Sequence, residues 1–311
     1  MTLSGVKPLK SLSVFLKSGF VLLTVALSFV FAAEIKEGVL SGMRIGALEV
    51  IPAIFPSLIL SDYIYSAGLF DFKTARILFA KLFNLPENFC RPFILSSLFG
   101  FPVGAKCCAE EYANNKSIKQ SCESAVCLCS NPSLAFCAFA VGLGIFDKIS
   151  VGIILYFSML ISTVIAGMLL RLKEKEIEFP VYISGQSYDF SSSVKSAGLA
   201  SLTVCSFISF FSAAIALIEQ LGKSQYISAI SACFFEVGNA AAKIHALNLS
   251  SIPILSFLGF ALGYSGLSVI LQARASLPNE IRLFKLHFFK LLEGIICAVL
   301  APAFYYILIL F

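Results

Sequence analysis

Lys106 and Glu236 are charged residues set in apolar surroundings beside Gly-containing breaks. The first closes Phe99-Gly100-Phe101-Pro102-Val103-Gly104-Ala105-Lys106; the second lies in Phe234-Phe235-Glu236-Val237-Gly238-Asn239-Ala240-Ala241-Ala242-Lys243. An ammonium in such a place can hold an anion. A carboxylate can hold a cation or a proton, or pair with a lysine across a cavity. Leaving either charge unpaired in hydrocarbon costs about 2.5–3.5 kcal/mol, so each implies a partner. Lys106 also reads as the partner of Glu110 one turn on, or as a lysine that reaches the surface along its own stem, and Lys243 favours the second course. Glu49 competes with Glu236 for a coupling cation.

Gly104 and Gly238 allow tight turns and close helix approach at the breaks. Asn131, Ser133, Asn239, Ser265, Ser268 and Gln272 can bond a polar ligand, or can satisfy backbone groups freed where a helix is interrupted. As a set beside two breaks they favour a binding cavity. The candidate substrate-binding residues are therefore Lys106, Gly104, Asn131, Ser133, Glu236, Gly238, Asn239, Ser265, Ser268 and Gln272.

No reaction chemistry competes with binding. Neither His245 nor His287 stands in a nucleophile motif, and there is no phosphate-cradling glycine loop, so an enzyme is not expected. The ten cysteines lie mostly in apolar runs without a C-x-x-C pair and behave as small hydrophobes, so no metal or other cofactor is expected beyond a coupling Na+ or H+.

Of 311 residues, 58% are hydrophobic and 13% charged, and the mean hydropathy is +0.90, which describes a polytopic membrane protein in contact with the lipid bilayer. One transmembrane domain, 1–311, accounts for the length. The net charge of +5 sits in short loops rather than along one helix face, which excludes a nucleic-acid partner. Lys7, Lys10 and Lys17 before an apolar run resemble a signal peptide but lack a convincing cleavage site, so this run reads as the first helix.

Runs long enough to cross a bilayer as helices are Val14 to Ala33, Ile45 to Phe70, Ser124 to Phe146, Ile149 to Leu170, Ser196 to Ile218, Ile252 to Ala273 and His287 to Phe311. Pro92 to Tyr112 and Tyr226 to Leu247 each hold two half-length runs around a break. Lys and Arg stay on the cytoplasmic side. The basic connections are the amino terminus, Asp71 to Arg91, Arg171 to Lys195 and Arg274 to Lys290. Placing them all inside makes the two broken pieces re-entrant hairpins that dip in from opposite faces. Asn131-Pro132-Ser133 and Gly263-Tyr264-Ser265-Gly266 then interrupt the span after each hairpin. The expected fold is all-α, an inverted-topology repeat with two re-entrant hairpins and two interrupted transmembrane helices, the arrangement of alternating-access transporters. Repeat one covers about 14–170, the linker about 171–195 and repeat two about 196–311.

With these residues in view, nearly the whole chain resembles the sporulation integral membrane protein family of the YlbJ (SpoVV) type, whose nucleoside-recognition or Gate domains are similar to concentrative nucleoside transporters. The resemblance rests on Pro52-Ala53-Ile54-Phe55-Pro56-Ser57-Leu58, Gly100-Phe101-Pro102-Val103-Gly104-Ala105-Lys106, Glu236-Val237-Gly238, and Tyr264-Ser265-Gly266-Leu267-Ser268-Val269 with Gln272. Phe101 stands where the family usually has Tyr, so a hydroxyl is missing. The resemblance implies export of dipicolinic acid, a small planar anionic substrate, across the outer forespore membrane of a sporulating bacterium. A cation-coupled nucleoside carrier is the alternative, and a gate or scaffold subunit of a larger membrane complex a third. A homo-oligomer is compatible with each.

The topology is open to direct measurement. In a cysteine-free background, a single cysteine at Ser117 should react with an impermeant thiol reagent from the cytoplasm and one at Ser224 from the opposite side. Labelling of both from one face contradicts the inverted repeat.

Overall fold

The computed structural model describes residues 7–169 and 188–310, so most of the expected linker lies outside the described residues. The described chain is all-helical, with no strand. Helix α1 is Lys7–Val30, α2 is Ala32–Ser66 and α3 is Lys73–Phe83. Then come α4 (Cys90–Phe99), α5 (Phe101–Asn114), α6 (Lys119–Leu128), α7 (Phe136–Phe146) and α8 (Ile149–Leu169). The second half holds α9 (Phe190–Gly222), α10 (Gln225–Phe235), α11 (Val237–Ala246), α12 (Ser251–Tyr264), α13 (Gly266–Ser276) and α14 (Phe284–Leu310).

Among the described residues, five stretches are long and apolar enough to cross a membrane: α2, α8, α9, α12 with α13, and Phe284–Ile307 of α14. Large apolar side chains such as Phe29, Phe210 and Val299 are 81%, 66% and 67% exposed on the outside of the bundle. Such a surface suits lipid rather than water, and the protein is an integral membrane protein.

The longest helices pack through small residues. A Cβ placed on Gly38 would stand 2.7 Å from Ala213 Cα, one on Gly42 2.6 Å from Ser209 Cα, and one on Gly46 2.7 Å from Cys205 Sγ. The positions on α2 rise as those on α9 fall, so these two helices run antiparallel with backbones nearly touching. Inside lipid, close packing of this kind replaces the hydrophobic drive that would join helices in water. Similarly, Gly263 of α12 lies against Gly294 of α14, and Gly142 of α7 lies against Gly152 of α8.

Local sequence sets where helices stop and bend. Asn84 and Lys223 take left-handed backbone conformations after α3 and α9, and the Asp189 side chain accepts from the Ser191 and Ser192 amides at the start of α9. Pro52 and Pro56 lie just beyond a wide π turn at Ile45–Val50 within α2, where a missing i to i−4 hydrogen bond is easiest to accommodate.

At each polar cassette the chain turns back on itself instead of running on as one bent helix. A Cβ on Gly104 of α5 would sit 2.6 Å from Ser96 Cβ of α4, although eight residues of continuous helix would separate them by about 12 Å. Likewise Ser228 of α10 and Lys243 of α11 reach the same Glu219 oxygen. Two further helices are interrupted: the chain is non-helical over 129–133 between α6 and α7, and at Ser265 between α12 and α13.

Several boundaries differ from the sequence expectation, among them that of the first helix, Lys7–Val30 rather than Val14 to Ala33, and that of α9, Phe190–Gly222 rather than Ser196 to Ile218. Helix α2 begins at Ala32, not Ile45, because Glu34, Lys36, Glu37 and Arg44 occupy outward positions on a helix that extends past its apolar run. The Asp71 to Arg91 connection contains α3, and Arg91 is buried in α4 with its guanidinium 4.1 Å above the Tyr65 ring, a cation–π contact. The Arg274 to Lys290 connection ends at Phe284, and Lys290 is not a loop lysine at all: it is fully buried on α14 beside Glu293.

The glycine seam between α2 and α9 gives a stability test. Gly42→Leu should destabilise the detergent-solubilised protein by at least the roughly 1–3 kcal/mol typical of overpacking, read as a lower melting temperature. Gly198→Ala, where a Cβ meets nothing within 4 Å, should leave melting unchanged. Equal effects of the two would contradict close packing at this seam.

Candidate functional site

Each hairpin tip meets the interrupted helix of its own half of the chain. A Cβ on Gly100, between α4 and α5, would stand 3.1 Å from both the amide nitrogen and Cβ of Ser133. A Cβ on Gly266, at the break before α13, would stand 2.9 Å from Phe235 O and 3.0 Å from the Glu236 amide. Both glycines have φ in the region open only to a residue without Cβ strain, +94° and +81°, so chemistry and space agree at these positions.

A narrow cavity opens where the four breaks converge. Its apolar wall comes from Val50 and Ile54 of α2, Val204 and Ile208 of α9, and the rings of Phe99, Phe101 and Phe136; its polar lining includes Ser133, Glu236 and Gln272. Two helices, α5 and α11, begin at residues that bound it, and their first amides carry partial positive charge; α13, which begins at Gly266, adds Val269 and Gln272 to the wall.

Those three helix starts are treated differently. Glu236 caps α11: one carboxylate oxygen accepts from the Gly238 amide at 2.9 Å, the other from the Asn239 amide at 2.7 Å and from Asn239 Nδ2 at 2.9 Å. Asn239 Nδ2 also donates to Ser212 Oγ of α9 at 2.7 Å, which ties the tip to the long helix. At the matching position before α5 stands Gly100, and no side chain caps that helix. Ser265 leads into α13 without a side-chain cap, its hydroxyl donating back to Leu262 O.

Of the ten residues expected at a binding site, the cavity lining unites Ser133, Glu236 and Gln272, with Asn239 and Ser268 directly behind them. Gln272 Nε2 donates to Ser268 Oγ at 2.8 Å, while its Oε1 is buried without a partner. Ser133 Oγ accepts from the Phe136 amide and so starts α7. Gly104 serves packing, since a Cβ there would lie 2.0 Å from Cys129 O. A Cβ on Gly238 would lie 3.2 Å from a Glu236 oxygen and 3.3 Å from Ile45.

Lys106 and Asn131 do not line this cavity. Lys106 Nζ is 2.6 Å from Asp62 Oδ1 near the end of α2 and 3.4 Å from Ser196 Oγ, so its ion-pair partner is Asp62 rather than Glu110. Lys243 does not simply reach for the surface but pairs with Glu219 near the end of α9. Asn131 is buried, donating to Leu128 O and accepting from Lys290. Glu49 faces outward from α2, away from the cavity.

Asp62, Glu219 and Glu293 are among the charged residues that sequence reasoning passed over, and Lys290 was assigned to a basic loop. A signal existed for each: all four stand in or at the end of apolar helical runs, where a charge needs a partner. No protein-family model, curated protein or solved structure matches the chain.

Proposed function

We propose that the protein is a membrane transporter whose substrate, a small planar carboxylate, binds where the hairpin tips and helix breaks converge. The observation that carries this reading is the unequal capping of matching helix starts. Glu236 supplies a carboxylate to the amides that open α11, whereas Gly100 leaves the amides of Phe101 and Val103 at the start of α5 without one. A substrate carboxylate would complete α5 as Glu236 completes α11. Phe99, Phe101 and Phe136 line the cavity with aromatic side chains suited to a planar body, and Gln272 holds an amide whose second polar atom lacks a partner. Turning that amide over would present its NH2 to an anion while Ser268 donated to the oxygen.

The inverted repeat with two re-entrant hairpins belongs to the same proposal. Hairpin α4–α5 is pinned by Lys106 to Asp62 near the end of α2, and hairpin α10–α11 by Lys243 to Glu219 near the end of α9. Because α2 and α9 are antiparallel, those anchors lie at opposite ends of the pair, as hairpins entering from opposite faces require. Lys106 is then an anchor of the hairpin foot rather than a substrate contact. The resemblance described above supplies dipicolinic acid, moved across the outer forespore membrane, as the substrate to test first.

A second reading, a nucleoside carrier, draws support from Glu236: the ionisable residue lining the cavity is an acid, which suits a neutral ring with hydroxyl donors. Uptake by vesicles containing the purified protein separates the two. Dipicolinate should enter saturably and uridine should neither enter nor compete; the reverse result favours the nucleoside carrier, and uptake of neither contradicts both.

Two variants probe the mechanism. Gln272→Leu should lower uptake tenfold or more, about 1.4 kcal/mol in transition-state binding, while melting temperature holds or rises because an unpartnered buried polar atom is removed. Unchanged uptake would remove Gln272 from the site. Lys106→Asp and Asp62→Lys should each impair transport about tenfold, and the double exchange should restore most of it. Failure of the exchange to restore activity would mean that Lys106 does more than anchor the hairpin.

A further inference from the structure

On α14, which adds no residue to the cavity lining, Lys290 and Glu293 are both completely buried with Nζ 2.8 Å from Oε2. Each has one further partner. Lys290 Nζ donates to Asn131 Oδ1 at 2.8 Å, and Glu293 Oε1 accepts from Thr163 Oγ1 of α8 at 2.8 Å. A buried ion pair is a poor route to stability, since desolvation of both groups offsets their attraction and an apolar pair of similar volume often serves as well. Its position points to another role. Asn131 belongs to the unwound segment 129–133, and two residues on, Ser133 lines the cavity and abuts Gly100 at the hairpin tip.

We propose that the Lys290–Glu293 pair is the binding site of a coupling proton, read by the cavity through Asn131. The inference rests on the transport reading for its purpose, but the proton site itself does not. With both groups charged the pair is neutral. A proton from water adds to the Glu293 carboxylate, giving the carboxylic acid, and the cluster then carries the single positive charge of Lys290. That charge has lost its carboxylate partner and retains Asn131, so it pulls on the unwound segment, and a substrate anion in the cavity compensates it. Anion and proton would therefore bind best together.

The groups facing the pair leave Glu293 as the clear acceptor in the acidic range. From α8 come the hydroxyls of Ser162 and Thr163; from α6 the Cys127 thiol; from α12 the backbone and Cβ of Tyr264, packed at Gly294, with its ring turned to Phe234 and Phe260; and from α14 itself Lys285 and Cys297. Thiols, with an ordinary value well above 7, are neutral in that range. His287 lies on the exposed side of α14, turned away from the pair.

Infrared difference spectra of the purified protein, taken as the pH is lowered from 8 to 5 without substrate, should show the carbonyl stretch of a newly protonated acid. The band should persist in His287→Gln and Glu236→Gln and vanish in Glu293→Gln. Should Glu293→Gln fail to fold with Lys290 left unpaired, Lys290→Met combined with Glu293→Gln removes both charges and should lose the same band. In vesicles, an inward proton gradient should speed dipicolinate uptake about tenfold by the parent protein and leave the Glu293 variants unaffected. A band that survives loss of Glu293, or an unaltered gradient response in those variants, overturns the proton site. A parent protein that shows the band but moves no substrate overturns the transport reading alone.

Discussion

A bilayer offers no hydrogen bonds to a backbone that leaves its helix, and the centre of this protein is organised by that constraint. Four breaks lie in or beside apolar helices. Each is sealed by another: the glycine turn at Gly100 closes on Ser133, and the turn at Phe235–Glu236 closes on Gly266. The two glycines at these contacts permit backbone to meet backbone directly. Freed peptide groups are thus gathered at one place, which is where the cavity forms.

Around that centre, packing is made by what side chains omit. The Gly38, Gly42 and Gly46 row on α2 lets α9 approach until substituents would collide, and Gly259 and Gly263 do the same for α12 against α14. Ser209, Ser212 and Ser201 on the facing side of α9 are buried, and the first two bond carbonyls of their own helix. Ser212 also accepts from Asn239, so the same residue that packs against Gly42 steadies the tip that Glu236 caps. Scaffold and cavity share atoms at that point.

The helical class, the membrane character and the positions of all four breaks were legible in the sequence, because Gly, Pro and Asn inside apolar runs have few other uses. Side-chain partners were not. Lys106 was visible as a charge in need of a partner, but Glu110 lay one turn away while Asp62, 44 residues earlier, met it only through the approach of α2. Lys290 looked like the end of a basic loop because His287 and Lys285 precede it, and the helix period that turns it inward depends on where α14 starts. Glu236 was recognised, though its cap on α11 became evident only with the turn that places the Gly238 and Asn239 amides over it.

The antiparallel course of α2 and α9 has an electrostatic consequence. Peptide dipoles summed along two long helices of opposite direction largely cancel, so the bulk of the scaffold contributes little field at its middle. Short helices that begin there have no such counterpart. The starts of α5 and α11 therefore carry their partial charge to the cavity uncancelled, and Glu236 neutralises that of α11. What remains is the uncapped start of α5, whose partial positive charge is carried by backbone amides and needs no basic side chain at the cavity wall.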